Sequence, residues 1–331
     1  MTTNTSIIST GFQQRAGVRR TYNVIRNAAL PILIVLTFII ASFSVPHFFD
    51  FNTIRAILLS ASITGIIAVG MTAITLSGNM FSLGVTATTV FSAVIYIWVG
   101  QASGSMYVAA AAAIASAVAL GIAQGYIVGL GLNTVIVTLA VGSIVYGITA
   151  ILTKGQVVQA EENVHLEGFA TFALFGVPLP IVVFLVFTVL AWFLTEHTMI
   201  GRNVHLLGSN RETARNSGIS PMGTTIWAFI AFSLGIGIAA VLQASQMHQV
   251  QADNLPTLTM DVVAAVLVGG TAVTGGDGSP IKSAIGALFI ATIQMVMVLL
   301  DIPEGTRYFV LGVVVLVLVV ILHLLRKAGT R

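Results

Sequence analysis

Cysteine is missing from all 331 residues, so disulfides, thiolate metal ligation and thiol nucleophiles are excluded. Charge is nearly missing too. Asp, Glu, Lys and Arg make up only 8% of the chain, against about 25% in an ordinary soluble domain. With 56% hydrophobic residues and a mean hydropathy of +1.00, the chain cannot clothe a globule in polar surface and reads as an integral membrane protein. Its long apolar stretches hold few ionisable groups, Asp261 and His323 among them. Carriers driven by proton or ion gradients usually place carboxylates or histidines at membrane depth, so this scarcity counts against a secondary transporter.

What charge exists is placed at the ends of apolar runs. The net charge of +3 does not point to nucleic acid, because the basic residues gather where membrane-flanking loops fall. Ten spans are predicted near 28–45, 56–76, 83–100, 106–129, 132–153, 177–196, 224–245, 258–275, 281–299 and 307–325. Their lengths suit helices rather than barrel strands, which need only about 9–11 residues. The polar residues 1–27 read as a retained tail, since the apolar run after them is long for a signal peptide and lacks a small-residue cleavage pattern. The membrane domain is then 28–325, with a short tail at 326–331. Arg15, Arg19, Arg20 and Arg26 of the first tail, Arg202, Arg211 and Arg215 of the loop 197–223, and Arg326, Lys327 and Arg331 all fall on one side. The positive-inside rule makes that side cytoplasmic and both termini with it. Glu161, Glu162, Glu167, Asp301 and Glu304 fall on the other side.

Three motifs resemble known chemistry and fail on context. Gly276 to Ser283, G-D-G-S-P-I-K-S, is one residue from a phosphate-cradling loop. Ile281 replaces its second glycine, and a membrane span stands where a β-strand is required. Residues 235–240, G-I-G-I-A-A, echo a dinucleotide fingerprint but lie inside the predicted seventh span, so they read as packing glycines. The six histidines are scattered, with His197 and His205 in the cytoplasmic loop, and they form no metal-ligand spacing, leaving solvated or capping roles. Gly121, Gly125 and Gly129 put one glycine per turn on a single helix face, a signature of close helix packing.

Between two strongly apolar segments, residues 268–280 read V-G-G-T-A-V-T-G-G-D-G-S-P, and residues 69–75, V-G-M-T-A-I-T, repeat their first seven positions with five identities. Each copy runs on into small polar residues, Ser77-Gly78-Asn79 and Gly275-Gly276-Asp277-Gly278. Matching glycine-broken segments in two halves of a membrane protein point to a substrate pathway. Gly70, Gly78, Gly269, Gly270, Gly275 and Gly276 are the expected structural glycines of these breaks. Ser77, Asn79, Asp261, Thr271 and Thr274 are the polar candidates along the path, each serving equally well as a helix-packing hydrogen bond.

The loop from Gly208 to Pro221 reads G-S-N-R-E-T-A-R-N-S-G-I-S-P. Its pattern predicts a short helix capped by Asn210, with Glu212 in the favoured first turn, ended by Gly218 and followed by a span starting at Pro221. The same run, through Gly208, Asn210, Glu212, Ala214, Arg215, Ser217, Gly218 and Ile219, resembles the cytoplasmic loop of ribose-type sugar ABC transporter permeases. Asp261 to Gly278 and Ala68 to Thr72 are similar to two further segments of that family. The resemblance implies an all-α polytopic permease of the type II importer architecture, in a bacterial inner membrane. ATP and Mg would be used by separate ATP-binding cassette ATPase subunits, and this chain would bind no cofactor and no metal of its own. It further implies a periplasmic substrate-binding protein, a second permease copy or a sister permease, and a sugar-like small molecule. Gly208, Asn210, Glu212, Ala214, Arg215, Ser217 and Gly218 would then couple the chain to the ATPase. The family usually carries Ser-Gly-x-Ile-Asp-Leu-Ser-x-Gly after the first break, whereas Ser77 to Gly84 here is S-G-N-M-F-S-L-G. That departure leaves open a sugar alcohol or a furanose as cargo, or a heterodimer with a sister subunit. The alternative is an ion-coupled secondary transporter or channel acting without an ATPase.

Overall fold

The computed structural model describes residues 48–160, 166–174, 176–247, 249–251 and 257–328. The tail 1–27, the predicted span 28–45, and Glu161, Glu162, His165 and Arg331 lie outside the described residues, as do the side chains of His323, Arg326 and Lys327.

Helices α1 (Phe51–Leu76), α2 (Val85–Ser103), α3 (Met106–Gly129) and α4 (Thr134–Thr153) come first. A stretch of short elements follows, holding strand β1 (Val158–Gln159), the single helical turn α5 (Gly168–Thr171), and strands β2 (Ala173–Leu174) and β3 (Val177–Pro178). Then come α6 (Leu179–His197), the two short helices α7 (Met199–Ser209) and α8 (Arg211–Asn216), α9 (Pro221–Met247), strand β4 (Gln249–Val250), α10 (Leu258–Val268), α11 (Pro280–Leu299) and α12 (Glu304–Ala328). Among the described residues, seven of these helices are long and apolar enough to cross a membrane: α1, α2, α3, α4, α6, α9 and α11.

One expected span is cut short. The run 258–275 is apolar enough to suggest a full crossing, yet α10 has 11 residues and spans roughly 16 Å of a hydrocarbon core about 30 Å thick. It stops because Gly270, at φ 77°, takes a left-handed conformation that ends the helix, and Gly275 and Gly276 follow at 88° and 76°. The first copy of the repeat behaves differently. Helix α1 runs unbroken through Gly70 and ends at Leu76, so the interruption in that half begins only at Ser77 and Gly78. Seven long spans and the short α10 are seen among the described residues, so the count of ten is not confirmed.

The chain divides into two compact units, one spanning Phe49–Ala291 and the other taking in Thr292 onward. In the larger unit α1 and α9 form the core, with 72% and 67% of their most apolar stretches buried, against 22% for α6. Helix α9 lies between α1 and α3, and its glycines allow it. A Cβ on Gly235 would lie 2.9 Å from the Ile66 carbonyl oxygen of α1, and one on Gly237 would lie 2.8 Å from the Ile114 Cα of α3. On the facing helix, Cβ atoms on Gly121, Gly125 and Gly129 would press on Ser233, Phe229 and Met222 in turn. The glycine ladder is thus a helix crossing. The outer faces of α4 and α6 expose Ile136, Ile144, Ile151, Leu185 and Val189, the apolar cover that lipid requires.

At the end of the larger unit remote from α7 and α8, β1 pairs with β4 in antiparallel register, Val158 opposite Val250. Tyr96 Oη and Ser245 Oγ each donate to the Leu166 carbonyl at 2.8 Å, anchoring that stretch on α2 and α9.

Candidate functional site

The last turn of α1, the last turn of α7 and the loop after α10 meet backbone to backbone. A Cβ on Gly78 would lie 3.0 Å from the Gly208 Cα. One on Gly275 would lie 2.8 Å from the Gly78 nitrogen and 3.0 Å from the Gly208 oxygen, and one on Gly208 would fall 2.6 Å from the Gly276 nitrogen. Real Cβ atoms essentially never come within 3.0 Å of backbone, and Gly78 and Gly275 also take positive φ of 79° and 88°, so glycine is the residue that fits at all three places. Two hydrogen bonds fasten the meeting point. The Gly276 amide donates to the Leu76 carbonyl at 3.0 Å, and His205 Nδ1 lies 3.1 Å from the Gly276 carbonyl. A carbonyl only accepts, so Nδ1 carries the proton. His205 is therefore half-buried and engaged rather than solvated or capping, a correction to its sequence-based reading.

Beside this junction lies a buried polar network. Asn79 Nδ2 donates to Ser77 Oγ at 2.8 Å and to Thr225 Oγ1, in the first turn of α9, at 3.4 Å. Thr134 Oγ1, at the start of α4, donates to Asn79 Oδ1 at 3.5 Å. One amide thus holds the break after α1 to the starts of two other helices.

The second polar group is built from the repeat itself. Thr72 and Thr271 occupy equivalent positions in the two copies, and both reach Ser283 at the start of α11. Thr72 Oγ1 donates to Ser283 Oγ at 2.7 Å, and Thr271 Oγ1 lies 3.4 Å from it. All three hydroxyls are buried. Close packing continues beneath them, since a Cβ on Gly269 would lie 2.8 Å from the Ser283 Cα.

The structure therefore brings Ser77, Gly78, Asn79, Gly275 and Gly276 together and joins Thr271 to Thr72. It separates the other two polar candidates. Thr274 is exposed at the loop surface, and Asp261 is buried in the first turn of α10, about 10 Å along the helix from its end. Gly70 lies in the helix, where a Cβ would sit 3.0 Å from the Phe232 Cα of α9. Thr72, Thr134, Thr225 and Ser283 escaped the sequence reading. The Thr-for-Thr match within the repeat and the family-like segment Ala68 to Thr72 were the signals that touched Thr72.

The loop 197–223 is two helices rather than one. Thr198 caps α7 and Asn210 caps α8, Asn210 Oδ1 accepting from the Glu212 and Thr213 amides at 3.1 and 3.0 Å. Helix α8 closes with the Gly218 amide bonded to the Arg215 carbonyl and the Ile219 amide to the Ala214 carbonyl, with Gly218 at φ 80°. That double closure is a Schellman motif. Ala214 is buried at 1% exposure and seats the helix, while Arg211, Glu212, Thr213, Arg215, Asn216, Ser217 and Gly218 all face outward.

Residues 53–319 match the family model described as branched-chain amino acid transport system / permease component. The chain is 29% identical to the ribose import permease protein of Escherichia coli (strain K12) over 293 residues, 87% of this chain and 91% of that one. It is 29% identical to the L-arabinose ABC transporter permease protein of Azospirillum brasilense over 307 residues, covering 92% and 89%. With the D-allose transport system permease protein of Escherichia coli (strain K12) it shares 27% over 307 residues, covering 89% and 91%. No solved structure matches the chain significantly. Glycine-broken helices, a structured loop and a family match over most of its length agree: the chain belongs to the permease components of the branched-chain amino acid transport system family.

Proposed function

We propose that this chain is the membrane-spanning permease subunit of an ATP-driven importer for a monosaccharide, or for a related polyol or furanose. A separate ATPase subunit hydrolyses ATP with Mg, a periplasmic binding protein delivers the cargo, and a second copy or a sister permease completes the pore. The membrane is the bacterial inner membrane, with both termini cytoplasmic. The ribose, arabinose and allose permeases among its relatives support the cargo class.

The observation that carries the reading is α8. A helix of six residues, capped at both ends and seated by Ala214, shows solvent a rigid outward face of Glu212, Arg215 and Ser217. Such a face is built to be gripped by a partner. Its loop then leads directly into the buried junction of both breaks, so a push on α8 arrives at the path. In this mechanism the cargo is never chemically changed; its passage follows from rearrangement of the breaks.

The test reconstitutes the chain with its ATPase and binding protein in vesicles. Glu212 is exposed, and Glu212→Lys alters only a helix-dipole interaction worth roughly 0.5 kcal/mol, so the fold survives. Uptake is expected to fall by about tenfold or more, a loss of about 1.4 kcal/mol of coupling. Gly218→Val, strained at its positive φ, should act in the same direction. Wild-type uptake by both variants, or uptake by the chain alone on an ion gradient, would sink the proposal.

A further inference from the structure

We infer that Gly78, Gly208, Gly275 and Gly276, locked by His205, form one rigid coupling junction that moves both glycine-broken segments together when the cytoplasmic loop moves. This rests on the loop reading above and adds the route by which the loop's motion enters the membrane.

Gly276 is the pivot of the reasoning. Its amide is bonded to the last residue of α1, and its carbonyl is bonded to a side chain of α7. A single peptide segment of the second break is therefore tied to the first break on one side and to the cytoplasmic loop on the other. Apart from the short Ser209 side chain, the close contacts around it are backbone against backbone. Long side chains at an interface absorb a small shift by changing rotamer, whereas bare backbones in contact have no rotamers to change. A displacement of α7 is passed on undiminished, and closely packed contacts of this kind switch between discrete arrangements rather than deform.

The arrangement also joins the two halves. The break after α1 and the break after α10 are reached at the same point, and the Thr72–Ser283–Thr271 hydroxyls hold them together a turn further in. A loop attached to one break alone would move one half; attached here, it moves both. His205 and Gly208 are positioning residues in this scheme, since neither needs to touch cargo or nucleotide.

Coupling of this sort is established only by measuring it. The absence of cysteine makes the chain suited to the test. Ser209 and Asp277 are exposed and flank the junction on its two sides; a Cβ on Gly276 would lie 3.1 Å from the Ser209 Cα. The double variant Ser209→Cys with Asp277→Cys is reconstituted with ATPase and binding protein and joined by a short bismaleimide. A junction that stays closed through the cycle keeps uptake within about twofold of the uncross-linked protein. A loss of about tenfold on cross-linking, or failure of the pair to cross-link, overturns the proposal.

A second pair of variants asks whether the lock matters. His205→Leu removes the donor to Gly276, and His205→Asn restores an amide donor near Nδ1. The expected result is ATP hydrolysis within about twofold of wild type in both, with cargo moved per ATP down about tenfold in His205→Leu and largely recovered in His205→Asn. Unchanged cargo per ATP in His205→Leu overturns the lock, and if that variant fails to assemble, the cross-link result decides. Failure of the loop reading looks different: there Glu212→Lys transports normally. If Glu212→Lys is inactive and the cross-link also blocks uptake, the loop reading stands and the junction alone is wrong.

Discussion

Ser283 shows how much one hydroxyl can organise. It has no charge and lies beside Lys282, the residue that made the stretch look like a phosphate loop, yet it gathers the equivalent threonines of both repeat copies. Interhelical hydrogen bonds in membrane proteins average about 0.6 kcal/mol and reach about 1.7. Ser283→Ala is therefore expected to destabilise the purified chain by roughly 1 kcal/mol, seen as a lower midpoint in thermal unfolding. Thr72→Val on top of it should add little, because its partner is already gone; a fully additive double variant would show the two hydroxyls acting separately. The repeat was legible in sequence, but its meaning was not. Five of seven positions agree, and the two copies still differ in conformation. Met71, fully buried in α1, stands where Gly270 adopts φ 77°. Methionine favours helix and glycine permits its end, so one unmatched position sends the two copies different ways.

Elements were more readable than contacts. Apolar length alone located the long helices to within a few residues, since a membrane leaves the backbone no other way to satisfy itself. It failed at α10, where apolar composition continues past Val268 although the helix does not. The loop 197–223 gave up its caps, because Asn210 and Gly218 act locally. It hid α7 and the engagement of His205, because the partner of that ring lies 71 residues away. The α3–α9 crossing offers the clearest test at this scale. A Cβ on Gly125 would press 2.9 Å from the Phe229 Cβ and 3.1 Å from the Ile226 Cα. Gly125→Leu should force the helices apart at a cost of roughly 1–3 kcal/mol and sharply lower the amount of folded chain in membranes. Gly147 of α4 has open space around its Cα. Gly147→Ala should be neutral or stabilising by up to about 1 kcal/mol, and a loss at Gly147 equal to that at Gly125 would contradict the packing described.

For the whole molecule, charge ties orientation to function. Arg202, Arg211 and Arg215 are all exposed on the α7–α8 side, which under the positive-inside rule is the expected cytoplasmic side. In cells expressing the chain alone, a membrane-impermeant thiol reagent added outside should label Gln159→Cys on β1 and leave Ser209→Cys untouched. Labelling in the reverse pattern would turn the protein over and remove the loop from reach of any cytoplasmic ATPase. The junction beneath that loop has a consequence for the gene as well. A glycine codon is specified by its first two bases, so any substitution at either base installs a side chain or a stop. At Gly78, Gly208, Gly275 and Gly276 a side chain meets backbone or a packed neighbour, and only silent changes at the third base leave the contact intact. These four codons, scattered over the gene, can be respelled by inheritance but not reworded.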